Sequence, residues 1–193
     1  MTTSSMNDVD FDHETWIEVP IQFPSGPFVD AEQWVKGFSF QATDGLPGEA
    51  QLRERTERAA RVVVGVHHRV ASRKFWYFTR EFGTETVAHS YIMEYDGVTS
   101  VEELLVGDAA NYSFPRVVEH EAVDGKRIVS VAYTIPLQVD GDEALVAGSL
   151  RVARVEDEVL VIVDIVDTRT HMIGVVFEDA VALAGSLGVD PPV

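Results

Sequence analysis

The chain has 193 residues, 46% of them hydrophobic, with 32 acidic and 15 basic side chains, a net charge of −17 and no cysteine. Without cysteine, disulfides, thiolate catalysis, iron–sulfur clusters, Cys-based zinc sites and a lipid anchor on an N-terminal Cys are excluded. The apolar content is too high for a disordered chain, and the acidity repels phosphate backbones and anionic lipid, so neither nucleic acid nor a membrane is an expected partner.

The N-terminal residues 1–8 lack the basic-then-apolar layout of a signal peptide, and the longest apolar runs, such as Val159 to Val163, are far short of the ~20 residues of a membrane span. The expected location is the cytoplasm. The charge is uneven. Residues 1–49 carry nine acids and one base, and residues 81–193 carry 21 acids and six bases. Between them lie Arg53, Arg55, Arg58, Arg61, Arg69, Arg73, Lys74 and Arg80 against only Glu54 and Glu57. This basic island either meets a partner or is neutralised inside the fold by acidic strands.

Residues 1–14 read as a disordered acidic tail, and a single α+β domain is expected over 15–190. Trp16 to Phe23 alternates apolar and polar residues and predicts a strand, on a sheet edge because Pro20 has no N–H to donate. Asp30 is placed to cap a short helix ending at Gly37, with a short strand over Phe38 to Ala42. Pro47 to about Val66 predicts a helix. Its apolar face is Leu52, Ala59, Ala60 and Val63, and its i,i+4 ion pairs are Arg53–Glu57, Glu54–Arg58 and Glu57–Arg61.

Two strands are then expected, Phe75 to Phe82 and Thr86 to Tyr95, joined at Gly83-Thr84. That register sets Trp76 opposite Tyr91, Phe78 opposite His89 and Tyr77 opposite Ser90. Both faces are aromatic, so either helices cover both or one face binds a partner. Thr99 to Val106 predicts a short helix with Thr99 and Glu102 as capping box. An antiparallel meander follows: Phe114 to Val123, Arg127 to Val139, Leu145 to Val155 and Glu158 to Val166, with turns at Asp124-Gly125, Asp140-Gly141 and Glu156-Asp157. The last helix, about Val175 to Leu187, carries the stripe Val176, Ala180, Leu183, Ala184 and Leu187 and stops at Gly188.

No dinucleotide, phosphate-loop, zinc-protease, calcium-loop or nucleophile-elbow motif occurs, and no cofactor or metal is expected. Asp164 lies within the apolar run Val159 to Val166, where a carboxylate is costly unless paired. The Glu156-Asp157 turn places Ser149 opposite Asp164 and Arg151 diagonal to it, so an Arg151–Asp164 structural pair is expected. Asp167, Arg169 and His171, between that strand and the last helix, would suit a small anion or acid–base chemistry, and helix capping explains them equally. His67-His68 is a poor chelate because neighbouring helical residues diverge by about 100°.

The long strands Arg127 to Val139, Leu145 to Val155 and Val159 to Val166 run into one helix ending at Ala184-Gly-Ser-Leu187, and an early strand runs into Pro24-Ser-Gly. In element order this layout resembles the PsbP-like α/β/α sandwich family over about residues 16–188. The resemblance implies an antiparallel meander sheet packed by helices and a binding or accessory role rather than an enzymatic one. It implies no particular functional residue.

The resulting expectation is a non-catalytic interaction or ligand-binding accessory module for an unknown protein or small ligand. Its candidate surface is Trp76, Phe78, Arg80, His89 and Tyr91, where aromatic rings beside an Arg would anchor a partner. The alternative is a small enzyme using Asp167, Arg169 and His171 with Asp164. A homodimer built through an edge strand or an uncovered sheet face is the third reading.

Overall fold

A computed structural model of the chain describes residues 11–79, 84–107, 115–121, 126–138 and 144–189. The strands are β1 (Trp16–Glu18), β2 (Arg73–Tyr77), β3 (Val87–Glu94), β4 (Arg116–His120), β5 (Arg127–Gln138), β6 (Ala144–Glu156) and β7 (Val159–Asp167). The helices are α1 (Ala31–Thr43), α2 (Glu49–Gly65), α3 (Val101–Val106) and α4 (Met172–Ser186). The fold is α+β, one seven-stranded antiparallel sheet in the order β1-β2-β3-β7-β6-β5-β4 with four helices. By packing, the chain divides into two compact units, residues 14–89 and residues 1–13 together with 90–193. No described helix is long and apolar enough to cross a membrane.

In the first unit, Asp30 caps α1 as its side chain accepts the Gln33 amide at 2.8 Å. The helix does not stop at Gly37. Residues 38–42, expected as a strand, continue it, because Phe38 stacks on Trp34 at 5.3 Å and turns inward against Trp76 and Phe78. Gly37 suits a helix interior here, since a Cβ at this position would stand 2.8 Å from the Phe28 ring. The helix α2 begins at Glu49, after Pro47, and buries Ala59, Ala60, Val63 and Val64. The Glu57–Arg61 pair forms at 3.0 Å, whereas Arg53 turns back to Glu49.

The strand expected over 16–23 shortens to β1, which pairs antiparallel with β2, Ile17 opposite Trp76. The last β1-side bond runs from the Val19 amide to the Lys74 carbonyl, and the next residue, Pro20, has no donor. The hairpin loop at Gly83-Thr84 falls partly outside the described residues. Its register differs from expectation. The Tyr77 amide donates to the Thr86 carbonyl at 3.0 Å, so Tyr77 lies beside Thr86, four residues short of Ser90.

In the second unit, the capping box of α3 sits one residue later than expected, on Ser100 and Glu103. The β5–β6–β7 meander forms with long ladders, Arg127 opposite Val155 and Glu156 opposite Val159. The Asp124-Gly125 and Asp140-Gly141 turns lie outside the described residues. Alternation along β6 gives it two covered faces. Arg151 and Ala153 point to α3 with Val129, Val131 and Tyr133, while Gly148 and Arg154 point to α4. The helix α4 starts three residues earlier than expected, and its stripe Val176, Ala180, Leu183, Ala184 and Leu187 is buried.

Gly148 lets α4 approach β6. A Cβ there would lie 2.5 Å from Ile173 Cγ1 and 3.3 Å from the backbone of Thr170. Gly148→Ala is therefore expected to destabilise the fold by about 1–3 kcal/mol, read as a lower urea midpoint at unchanged slope. A midpoint equal to that of the parent would mean that the helix is not seated on this glycine.

Candidate functional site

The polar groups of the second unit are arranged by the β6–β7 register. The turn is Asp157-Glu158, one residue beyond the expected Glu156-Asp157, and Asp157 takes φ 54°, a left-handed conformation that Asp tolerates better than most residues. The ladder consequently shifts. Arg151 stands directly opposite Asp164 instead of diagonal to it, with Nε 3.5 Å from Oδ1, and Ser149 faces Val166. The Arg151 guanidinium also donates to the Leu105 carbonyl at the end of α3 and lies 5.7 Å from the Tyr133 ring centre. Tyr91 belongs to this group. Burial, and after it the Asp164 carboxylate, push its hydroxyl up to about 12, with Arg151 pulling the other way.

Asp167 is buried at the end of β7, and its carboxylate is taken by Arg169. One oxygen accepts the Arg169 amide at 2.8 Å and Nε at 3.0 Å, and the other accepts the guanidinium NH2 at 2.8 Å. His171 is exposed at the start of α4 and makes no side-chain cap bond. The Arg169 carbonyl accepts the Met172 amide at 2.8 Å, so these residues close the strand-to-helix turn.

Trp76 and Phe78, expected on an aromatic surface of the β2–β3 hairpin, do not reach a surface. Trp76 and Phe78 are buried in the core of the first unit with Val63 and Val87, and Phe75 and Tyr77 are buried on the other face. Trp76 Nε1 donates to the Thr84 carbonyl at 2.5 Å. Helices cover the Trp76 face. Arg80 lies outside the described residues. His89 is half-buried, and its ring centre is 5.6 Å from that of His68. Burial first, then His68 and Lys74, hold His89 down at about 4.

Lys74, on the Trp76 face of β2, is 1% exposed. Its ammonium donates to the carbonyls of Val63, Val64 and Val66 at 3.2, 3.1 and 3.2 Å, closing the C-terminal end of α2. Burial lowers its pKa to about 8.

Sequence reading missed the groove between the end of β3 and the β6–β7 turn. It holds about 950 Å³ and is lined by Ile92, Met93, Glu94, Tyr95, Asp96, Gly97, Asp157, Glu158, Val159 and Val189. The Tyr95 amide donates to the Glu158 carbonyl at 2.7 Å, joining the two segments, and the Tyr95 hydroxyl donates to the Thr99 carbonyl at 2.9 Å. The lining combines the apolar residues Ile92, Met93, Val159 and Val189 with four acidic ones, Glu94, Asp96, Asp157 and Glu158, all exposed. Among the described residues none of the four is ion-paired, and Asp96 accepts only the Val98 amide at 2.9 Å. The signal in the sequence was two acidic turns, Glu94-Tyr-Asp96 and Glu156-Asp-Glu158, but nothing local says that they adjoin.

No protein-family model matches the sequence, and comparison with curated proteins finds no match. Among solved structures the chain is similar to cyanobacterial PsbP (CyanoP) from Synechocystis sp. PCC 6803. The two share 15% identity over 61% of this chain and 75% of that one, with a TM-score of 0.34. A likeness of that degree carries over neither a partner nor a functional residue.

Lys74 supplies a test. Its folded pKa lies below the ordinary 10.5, so between about pH 8 and 10.5 the unfolded chain binds more protons and stability rises with pH. Lys74→Met removes the buried donor from the carbonyls of Val63, Val64 and Val66 and is expected to cost about 1–3 kcal/mol at pH 7. The stability difference between parent and variant should widen from pH 8 to 10.5 in denaturant titrations. A constant difference would show that the Lys74 pKa is not lowered in the folded chain.

Proposed function

We propose that the chain is a non-catalytic binding module and that its groove at residues 92–97 and 157–159 takes a cationic, partly apolar ligand such as a basic peptide segment. One observation carries this reading: four exposed acidic residues, with no ion-pair partner among the described residues, share a single open groove with Ile92, Met93, Val159 and Val189. Burying the methionine and aliphatic surface supplies affinity, and the acidic rim selects positive charge and speeds encounter. Residence in the cytoplasm, away from nucleic acid and membranes, belongs to the same proposal and agrees with the net charge of −17. The alternative acid–base site near residues 164–171 gains no support, because the Asp167 carboxylate is engaged by Arg169 and His171 is exposed.

The test is fluorescence anisotropy with a labelled Lys/Leu-rich peptide and the full chain at low salt. Saturable binding is expected, weakened about tenfold or more in Glu94→Gln/Glu158→Gln and screened at about 1 M salt. Equal affinity for the variant, or for an acidic peptide of the same length, would contradict the proposal.

A further inference from the structure

We infer that residues 66–72, the segment linking α2 to β2, are latched onto the sheet over His89 and Lys74 and are released by acid, so that the first unit carries a pH-sensitive switch. The inference is independent of the groove. It starts from the sequence that follows α2, His67-His68-Arg69-Val70, all four residues exposed. The backbone of the segment is held by long bonds, from the Ala71 amide to the His68 carbonyl at 3.3 Å and from the Val66 amide to the Val63 carbonyl at 3.2 Å.

The sheet meets this segment with groups that carry or can take positive charge. Counting back along the antiparallel strands from the Tyr77–Thr86 bond brings Lys74 of β2 alongside His89 of β3. Lys74 ties the sheet to the end of α2 through the Val63, Val64 and Val66 carbonyls. The His68 ring leans over that of His89, 5.6 Å between centres and tilted by 47°. His89 Nε2 is buried without a hydrogen-bond partner. No carboxylate acts on either strand residue: burial lowers Lys74, and burial, then His68, then Lys74 lower His89. Arg73 and its partner Glu18 belong to the other face of β2, and Tyr91, next on this face of β3, answers to Asp164 and Arg151.

A neutral imidazole suits this place, and a charged one does not. A proton on Nε2 would create a buried cationic N–H without an acceptor, next to an ammonium group. The negative end of α2, which could offset the charge, is already taken by Lys74. The strand is fixed by its ladder and the segment is not, so the smaller disruption is for residues 66–72 to lift, carrying His68 away and admitting water to His89. A charged His68 adds to the repulsion. Because His89 is held at about 4 against the ordinary 6.5, the opened chain binds more protons between these values. The latch is therefore at full strength above about pH 6.5 and weakens as the pH falls towards 4.

The experiment is amide hydrogen exchange on the full chain from pH 7 to pH 4, each rate divided by the intrinsic rate at that pH. Protection of residues 63–71 is expected to fall about tenfold or more over this range while that of β5, β6 and β7 holds. His89→Leu should keep the segment protected at pH 4, and His89→Gln replaces it if the leucine perturbs folding. In denaturant titrations the folded-to-unfolded ratio of the parent should drop, relative to the variant, by on the order of a hundredfold between pH 7 and pH 4. Protection of residues 63–71 that does not change with pH, a loss that is equal in parent and variant, or a loss spread evenly over the whole chain would each overturn the inference.

Discussion

Three strand cations hold three helices by the same interaction. The last carbonyls of a helix have no partner within it and carry the negative end of its dipole. Lys74 of β2 donates to the Val63, Val64 and Val66 carbonyls at the end of α2, Arg151 of β6 to the Leu105 carbonyl of α3, and Arg154 of β6 to the Gly185 and Leu187 carbonyls at the end of α4. Lys74 and Arg154 are each 1% exposed, so these bonds form where water cannot replace them. Arg151 and Arg154 have opposite parity on one strand, which is why α3 and α4 lie on opposite faces of β6. Arg154 is also paired with Glu156 at 3.0 Å, yet burial still pulls its pKa below the ordinary value. The helix-end carbonyls are what make a guanidinium tolerable there.

This use of cations has an electrostatic consequence. A chain with 15 bases against 32 acids that commits some of its bases to helix ends has fewer left to neutralise its surface. Three cations of the basic island, Arg53, Arg61 and Arg73, are paired within their own unit with acids from the N-terminal part of the chain, Glu49, Glu32 and Glu18. The carboxylates at the end of β3 and on the β6–β7 turn have no such counterpart among the described residues. The groove there is acidic and includes apolar residues, and the proposed cationic partner rests on that combination.

Local features of the sequence proved legible where the controlling interaction is local. Asp30 as a cap, the buried stripe of α4 and the meander of β5, β6 and β7 all follow from side chains within a few residues of one another. The failures have distant or conformational causes. Residues 38–42 read as a strand, but Phe38 is drawn inward by Trp76 and Phe78, some forty residues later. The β6–β7 register moved because Asp157, and no glycine, adopts the left-handed conformation. Tyr91 was expected beside Trp76 and instead lies near Arg151 and Asp164, which depends on the turn that shifted. The groove was illegible for the same kind of reason, since it needs the end of β3 to adjoin the start of β7, and these are separated by three strands in sequence.

The most direct test of the central claim, that this groove receives positive charge over an apolar lining, is to map the contact on the isotope-labelled chain by amide chemical shifts during titration with a basic amphipathic peptide. Concentrated, saturable shifts at residues 92–97 and 157–159 are the expected result. Shifts that fall elsewhere, or that scatter over the acidic surface without saturating, would contradict the account.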